Sequence, residues 1–161
     1  MEYEYSFKVK ELEPYISYCE QNGYKKTKDI EQEGNEFKGP NKTVARIKIS
    51  KPKKGKIVKV LDFKEDDESA VLVKNRRESL PLEFEDGKAI MSILEFLGYT
   101  KPNGSYTRTR IVYEKDKVKF EMDYYHQSKN KVMAIEGEKE QVDKVYEEIK
   151  DIELKYGKLK F

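Results

Sequence analysis

The sequence has 161 residues, of which 40% are charged and 37% are hydrophobic, and its formal net charge at pH 7 is only +2. This small net charge excludes a nucleic-acid binder driven by overall basicity. The 12 tyrosines and 7 phenylalanines exclude a disordered chain, because disordered chains are poor in aromatic residues. The length fits one domain, so we expect residues 1–161 to form a single domain.

Cysteine and histidine each occur once, and this limits the possible chemistry. Cys19 alone cannot form an internal disulfide, and we expect it to be a small core residue. His126 alone argues against histidine-based metal sites and Ser-His-Asp triads. No apolar run approaches the length of a membrane-spanning helix, and charges begin at Glu2, where a signal peptide would be apolar. We therefore expect a cytoplasmic protein that does not enter a membrane.

Apolar and polar residues alternate at the start of the chain, which predicts a strand with one buried face. Across the first half we predict strands at 1–10, 25–37, 43–50 and 56–64 and a helix at 11–22. The strand at 25–37 has the weakest pattern of these. Asn22-Gly23 is a typical helix end.

The second half repeats the order of strand, helix and strands. We predict an extended segment at 70–85, a helix at 86–97, strands at 106–114, 117–124 and 131–138, and a final helix at 139–156. Asp86 and Gly98 are suited to cap the first of these helices, and Ile90, Ile93, Leu94 and Leu97 form its apolar stripe. Lys115-Asp116 is the predicted turn of a tight hairpin.

Several predicted strands carry charge at every second position on the face opposite their apolar residues. These positions are Glu2, Glu4 and Lys8; Arg46 and Lys48; Lys64; Arg77; Arg108 and Arg110; Glu121 and Asp123; and Glu136 and Glu138. One interpretation is a set of solvated outer faces of an antiparallel sheet. The other is a binding site for a polyphosphate.

The chemistry of a polyphosphate fits this mixture of charges. Several cations are needed to neutralise its phosphoryl groups, and the arginine fork fits phosphate oxygens. Carboxylates nearby would repel the ligand unless a divalent cation lay between them. Ligands that offer only oxygen suit Mg²⁺ or Mn²⁺.

A set of short motifs occurs in one order along nearly the whole chain. They are "EYEYSFKV" at 2–9, "VARIKI" at 44–49, "VLDFK" at 60–64, "EFLGY" at 95–99, Arg108-Thr109-Arg110, "VKFEMDYY" at 118–125 and "AIEG" at 134–137. In this order and spacing the sequence resembles the CYTH superfamily, which includes class IV adenylate cyclases, thiamine triphosphatases and inorganic triphosphatases. The resemblance implies an α+β fold, an antiparallel eight-stranded β-barrel (tunnel) with flanking helices.

The resemblance also implies the site. The expected phosphate-binding residues are Lys8, Arg46, Lys48, Lys64, Arg77, Arg108 and Arg110. The expected ligands for Mg²⁺ or Mn²⁺ are Glu2, Glu4, Asp123 and Glu136. The sequence departs from the family pattern at Ser6, Ser79 and Ala134, where relatives place a lysine and two carboxylates; Glu78 could replace Ser79 only through a β-bulge. We therefore expect binding to survive better than catalysis, and no catalytic residue is assigned.

Three functions remain open at this point. The first is an enzyme that hydrolyses a triphosphate or cyclises ATP, with ATP, thiamine triphosphate or inorganic triphosphate as ligand, acting as a monomer or dimer. The second is a polyphosphate- or nucleotide-binding module without catalysis. The third, favoured least, is an RNA-binding domain in which Tyr106, Tyr113, Tyr124 and Tyr125 stack on bases.

Overall fold

One antiparallel sheet and three helices make up the α+β fold of this protein. The structure is a computed structural model that describes the backbone of residues 2–66, 73–156 and 158–159 and the side chains of residues 3–66 and 76–152. The strands are β1 (Glu2–Val9), β2 (Lys25–Lys38), β3 (Thr43–Pro52), β4 (Val58–Glu65), β5 (Val73–Arg76), β6 (Leu82–Glu83), β7 (Lys101–Lys115), β8 (Val118–Tyr125), β9 (Lys131–Gly137) and β10 (Lys158–Leu159). The helices are α1 (Glu13–Gln21), α2 (Gly87–Leu97) and α3 (Lys139–Tyr156).

The strands form a single sheet in the order β10-β1-β9-β8-β7-β2-β3-β4-β6, and β5 also pairs with β1. In the described part of the chain, β6 and β10 have two residues each, and the other eight strands are longer. The strand with the weakest sequence pattern, β2, is 14 residues long and pairs with both β3 and β7. Pairing with these two long strands stabilises β2, and such pairing cannot be recognised from the sequence of β2 alone.

The short segment from β5 to Ser79 pairs with strands near both edges of the sheet. Val73–Arg76 pairs with β1, whereas Glu78 forms an isolated bridge with Lys64 of β4. The Ser79 amide then donates to the Phe63 carbonyl at 2.8 Å. The described ladders therefore do not run around a closed ring, and one short segment reaches from one edge region to the other.

All three helices cover the same face of the sheet, where the alternating apolar residues lie. α1 and α3 pack on β1, β8 and β9 around fully buried side chains such as Phe7, Phe120 and Ile135. α2 packs on β3 and β4 around Ala45 and Leu61. Full burial of a large apolar side chain contributes about 1.5–3 kcal/mol, so these two clusters fix which face of each strand is apolar. The other face is left for the charged residues.

Local sequence signals place the helix ends and turns. As predicted, the Asp86 side chain accepts from the Ala89 amide at 3.1 Å, and Gly98 ends α2 with φ of 91°. Cys19 is buried in the core under α1, and burial raises the pKa of its thiol to about 12. The β7–β8 turn lies at Asp116-Lys117, one residue later than predicted, because these two residues adopt the positive φ that the turn needs. No helix in the described part of the chain is long and apolar enough to cross a membrane.

Candidate functional site

A cavity of about 1100 Å³ lies on the charged face of the sheet. Because side chains alternate along a strand, every second residue of β1, β3, β4, β7, β8 and β9 points toward it. Of the predicted site residues, the cavity is lined by Glu4, Arg46, Lys48, Lys64, Arg108, Arg110, Asp123 and Glu136. The structure therefore brings these eight charged residues together from six strands.

The buried polar side chains in the described part of the chain all lie at this cavity. Within the described residues, the buried polar or charged side chains are Glu4, Ser6, Gln32, Asp62, Arg108 and Asp123. All of them line the cavity. Burying polar groups costs free energy unless partners or a ligand satisfy them, so their concentration at one place indicates a functional site.

The structure corrects the assignment of Arg77. Its side chain is 77% exposed and pairs with Glu65 outside the cavity, whereas Arg76 and Glu78 line the cavity. The irregular segment after β5 breaks the count back from Gly98, and a shift of one residue moves every side chain to the other face. Glu78 thus lines the cavity, whereas Ser79 is not part of its lining.

Two other predicted residues lie differently from the main group. Lys8 lies two positions beyond Ser6 on β1 and is half-buried, and it is not among the residues that line the cavity, so its role in phosphate binding stays a prediction. The side chain of Glu2 lies outside the described residues.

Three carboxylates from adjacent strands meet at one wall of the cavity. Glu4 of β1, Glu121 of β8 and Glu136 of β9 each place one oxygen within 4.8 Å of the other two. Strand register explains the meeting, since Glu4 pairs with Glu136 and Glu121 lies opposite Ala134. Clustered carboxylate oxygens suit a hard divalent cation such as Mg²⁺ or Mn²⁺.

Asp123, predicted as a metal ligand, is not in this carboxylate cluster. Its two oxygens accept from Arg110 Nε at 2.8 Å and Nη2 at 2.9 Å, a bidentate pair. Glu121, two residues earlier on the same face, lies in the cluster where Asp123 does not. The cluster is itself paired with cations: Glu121 with Arg110 at 2.8 Å and Glu136 with Lys119 at 3.4 Å.

A second wall, formed by β3 and β4, carries cations that form ion pairs with nearby carboxylates. Arg46 forms a bidentate pair with Asp62 at 2.8 and 2.9 Å and reaches Glu78 at 3.2 Å. Lys48 contacts the same Asp62 at 3.2 Å, and Lys64 contacts Glu36 at 3.5 Å. Sequence reasoning missed Asp62 and Glu36, although Asp62 shares the phase of Lys64 on β4.

Arg108 is a buried cation of the cavity that several side chains hold in place. Its Nε and Nη2 donate to Gln32 Oε1, its Nη1 donates to the Tyr125 hydroxyl at 2.9 Å, and its guanidinium lies 4.5 Å from the centre of the Tyr106 ring. Gly34 makes room for this ring, because a Cβ there would lie 2.1 Å from Tyr106. No pattern in the sequence pointed to Gln32, which lies on β2, whereas Arg108 lies on β7.

The four tyrosines considered for base stacking do not share a surface. Tyr106 and Tyr125 line the cavity, where Arg108 lies beside both rings. Tyr113 is buried in the core on the helix side, and the Tyr124 ring packs near His126. No stacking platform for single-stranded nucleic acid is therefore formed by these four residues.

Burial and neighbouring charges shift the pKa values of the lining groups. Burial lowers the pKa of Lys48, with repulsion from Arg46 adding to it, and burial also lowers the pKa of Lys64. Burial would raise the pKa of Glu121, but the charges of Arg110 and Lys119 outweigh it and hold that pKa below its usual range. The carboxylate is therefore ionised at neutral pH.

The charges of the lining nearly cancel. The cavity is lined by eleven Lys or Arg residues and nine Asp or Glu residues. Lys26, Lys28, Lys53 and Lys54 are exposed and mark its mouth, whereas Arg108 and Asp123 are buried. The lining therefore combines exposed lysines with buried charges that are paired.

A search of protein-family models finds no match, and no curated protein matches either. Solved structures of similar fold exist. The PH1012 protein of Pyrococcus horikoshii OT3 is 23% identical with a TM-score of 0.70, and the match covers 95% of this chain and 88% of that one. A protein of Vibrio parahaemolyticus, described as a candidate adenylate cyclase, is 12% identical with a TM-score of 0.66, covering 96% of this chain and 87% of that one.

A third similar structure comes from Hippeastrum. It is described as a candidate adenylyl cyclase with a dominant triphosphatase activity, and it is 14% identical with a TM-score of 0.63, covering 94% of this chain and 87% of that one. At these identities the comparisons show the fold alone. The chain therefore shares the overall fold of these solved structures.

Proposed function

We propose that the cavity binds a triphosphate-containing small molecule together with Mg²⁺ or Mn²⁺ and promotes attack on one of its phosphoryl groups. One observation carries this proposal: the Glu4, Glu121 and Glu136 carboxylates meet within 4.8 Å in a cavity whose other wall holds Arg46, Lys48 and Lys64. The segment that joins β5 to β4 supports a tunnel in solution, with both ends of the sheet brought together.

The balance of charge supports a role for the divalent cation. With eleven cationic and nine anionic lining residues, the cavity alone cannot neutralise the four or more negative charges of a triphosphate. A divalent cation on the carboxylate cluster would make up the difference and remove the repulsion between ligand and carboxylates. Oxygen-only clusters of this kind fit Mg²⁺ and Mn²⁺ and do not favour softer metals.

In the proposed mechanism each wall has its own task. Arg46, Lys48 and Lys64 hold the phosphoryl oxygens, and their carboxylate partners fix the direction of each donor. Arg108 is held by Gln32 and the Tyr125 hydroxyl and so needs little reorganisation to stabilise charge that develops on the phosphate. The cation, when bound, supplies Lewis-acid polarisation.

Either water or the ribose 3′-hydroxyl of ATP could attack. Water that attacks the terminal phosphoryl group would break its bond to the bridging oxygen and release phosphate, which is a triphosphatase reaction. The hydroxyl would attack the α-phosphoryl group and expel diphosphate, which is a cyclase reaction. Because a protein of this fold from Hippeastrum is described as having a dominant triphosphatase activity, we favour hydrolysis.

The proposal is tested by phosphate release from inorganic triphosphate, ATP, GTP and thiamine triphosphate with Mg²⁺ or Mn²⁺, with cyclic AMP measured in the same samples. We expect cation-dependent phosphate release from at least one substrate, at a turnover below about 10 per second, the median for enzymes. Absence of release together with absence of binding would contradict the proposal.

A second candidate function is a binding module without catalysis. Ser6 and Ala134 face each other in the register of β1 and β9, and both line the cavity beside Glu121. The family pattern has a lysine and a carboxylate at these two positions. Triphosphate binding without turnover would favour this second function.

Restoring the missing pair is expected to raise activity. The double change Ser6→Lys with Ala134→Glu places a cation and a carboxylate in register, so the new lysine has a partner when it is buried. We expect Mg²⁺-dependent turnover to increase about tenfold or more, measured as phosphate release. A slower double variant would show that Ser6 and Ala134 are not losses.

The affinity for triphosphate is expected to fall as the pH rises, and to do so below pH 10.5. Lys48 and Lys64 must be protonated to bind an anion, and burial holds the pKa of each below the ordinary value of 10.5. Calorimetric titrations at increasing pH would measure the loss. Lys48→Met should weaken binding at neutral pH and flatten this dependence, whereas an unchanged profile would contradict a role for Lys48.

A further inference from the structure

The outer surface of α2 is unusually apolar for an exposed helix. Four of the seven large apolar side chains exposed in the described part of the chain lie on it, with Phe96 92%, Leu97 54%, Ile93 51% and Met91 41% exposed. The sequence predicted Ile93 and Leu97 to be buried in one stripe with Ile90 and Leu94, but only the latter two are buried.

Four exposed residues of α2, two of them large and apolar, form one continuous face. Ala89, Ser92, Ile93 and Phe96 are spaced as i, i+3, i+4 and i+7, and all four are exposed. We call these four residues the outer face of α2. Ala89 and Ser92 are small, so another helix could approach closely at this face while Phe96 packs beside it.

Two charged residues lie beside the outer face, and their positions favour one arrangement of a second helix packed there. Lys88 and Glu95 are two helical turns apart, so they lie on the same side of α2, and both are exposed. Neither has an ion pair to another residue in the part of the chain that the structure describes. Ser92 lies close to the midpoint between them, so an antiparallel copy of α2 would bring each Lys88 level with the other copy's Glu95.

We propose that the protein forms a two-fold symmetric dimer in which the outer faces of two α2 helices pack antiparallel. A two-fold interface is self-complementary, and one helix with a lysine at one end and a glutamate at the other meets this requirement. Phe96 of each copy then packs over the first turn of the other helix, beside its Ala89. Because one helix pair buries less than a standard interface, the expected dissociation constant is micromolar.

Sedimentation of the full chain over a range of micromolar concentrations tests the proposal. We expect the wild-type protein to approach twice the monomer mass, and Phe96→Glu to raise the dissociation constant at least about thirtyfold. Leu80→Glu is the matched control, because Leu80 is 91% exposed but lies outside α2. A monomeric wild-type protein, or equal weakening by the two changes, would overturn the proposal.

Charge reversal tests the antiparallel arrangement itself. Lys88→Glu and Glu95→Lys alone should each raise the dissociation constant about tenfold, because each change acts twice in a symmetric dimer. The combined change restores opposite charges and should return the dissociation constant to within about threefold of wild type. Lys144→Glu, on the exposed side of α3, should have no effect. A double variant as weak as both single changes added together would rule out this pairing.

Discussion

Replacing Glu121 with glutamine is expected to lower cation-dependent turnover by about a hundredfold or more. The change removes one charged oxygen from the carboxylate cluster with Glu4 and Glu136, so both the affinity and the position of the divalent cation suffer. Glutamine has nearly the same shape and can still accept from Arg110, which lies 2.8 Å from Glu121 in the wild type. The measurement is phosphate release as a function of Mn²⁺ concentration.

The control for Glu121→Gln is Glu33→Gln, which changes an exposed glutamate of β2 outside the cavity. It should leave turnover and the Mn²⁺ dependence unchanged. If Glu121→Gln also had no effect on the Mn²⁺ dependence, the carboxylate cluster would not be the metal site. The metal ligands that the sequence resemblance implies, which include Asp123 and not Glu121, would then be favoured.

Replacing Arg110 with alanine is expected to lower the free energy of unfolding by about 3–5 kcal/mol. Arg110 holds Asp123 through two hydrogen bonds and Glu121 through a third contact, and its removal leaves these two carboxylates without their main cation. Burial would lower the pKa of Arg110, but the two carboxylates outweigh it and raise that pKa well above its ordinary value. Urea denaturation measures the loss.

Arg77→Ala is the matched control for Arg110→Ala. Its side chain is largely exposed and its partner Glu65 lies at the surface, so the change should leave the free energy of unfolding nearly unchanged. A similar loss from both changes would show that Arg110 is not part of a buried network. In the Arg110 variant, binding of triphosphate should be weakened more than in Lys115→Ala, which changes a residue at the β7–β8 turn.

Most of the fold could be predicted because apolar and charged residues alternate along most of the length of the strands. β1, β3, β7, β8 and β9 each carry apolar residues in one phase and charged residues in the other, so the phase alone assigned Glu4, Arg46 and Arg108 to one face. The prediction failed where the alternation stops. From 73 to 83 the chain passes from β1 to β4 without a long ladder, and counting along it chose Arg77, whereas Arg76 lines the cavity.

Within the site, the alternation along a strand could predict which face a side chain lies on but not which residue it contacts. Glu121 and Asp123 share a face of β8, and only the register with β7 and β9 gives Asp123 to Arg110 and Glu121 to the carboxylate cluster. Gln32 is another such case, because its contact with Arg108 joins residues 76 positions apart. These contacts depend on strand pairing, which a single sequence does not report.

Calorimetric titration of the wild-type protein with inorganic triphosphate, with and without Mg²⁺, tests the central claim most directly. The proposed site predicts one binding site per chain, with a dissociation constant in the micromolar range or weaker and a clear gain in affinity when Mg²⁺ is present. Absence of binding, or binding that Mg²⁺ does not strengthen, would contradict the central claim. That claim is that the carboxylate cluster and the wall with Arg46, Lys48 and Lys64 act on one triphosphate.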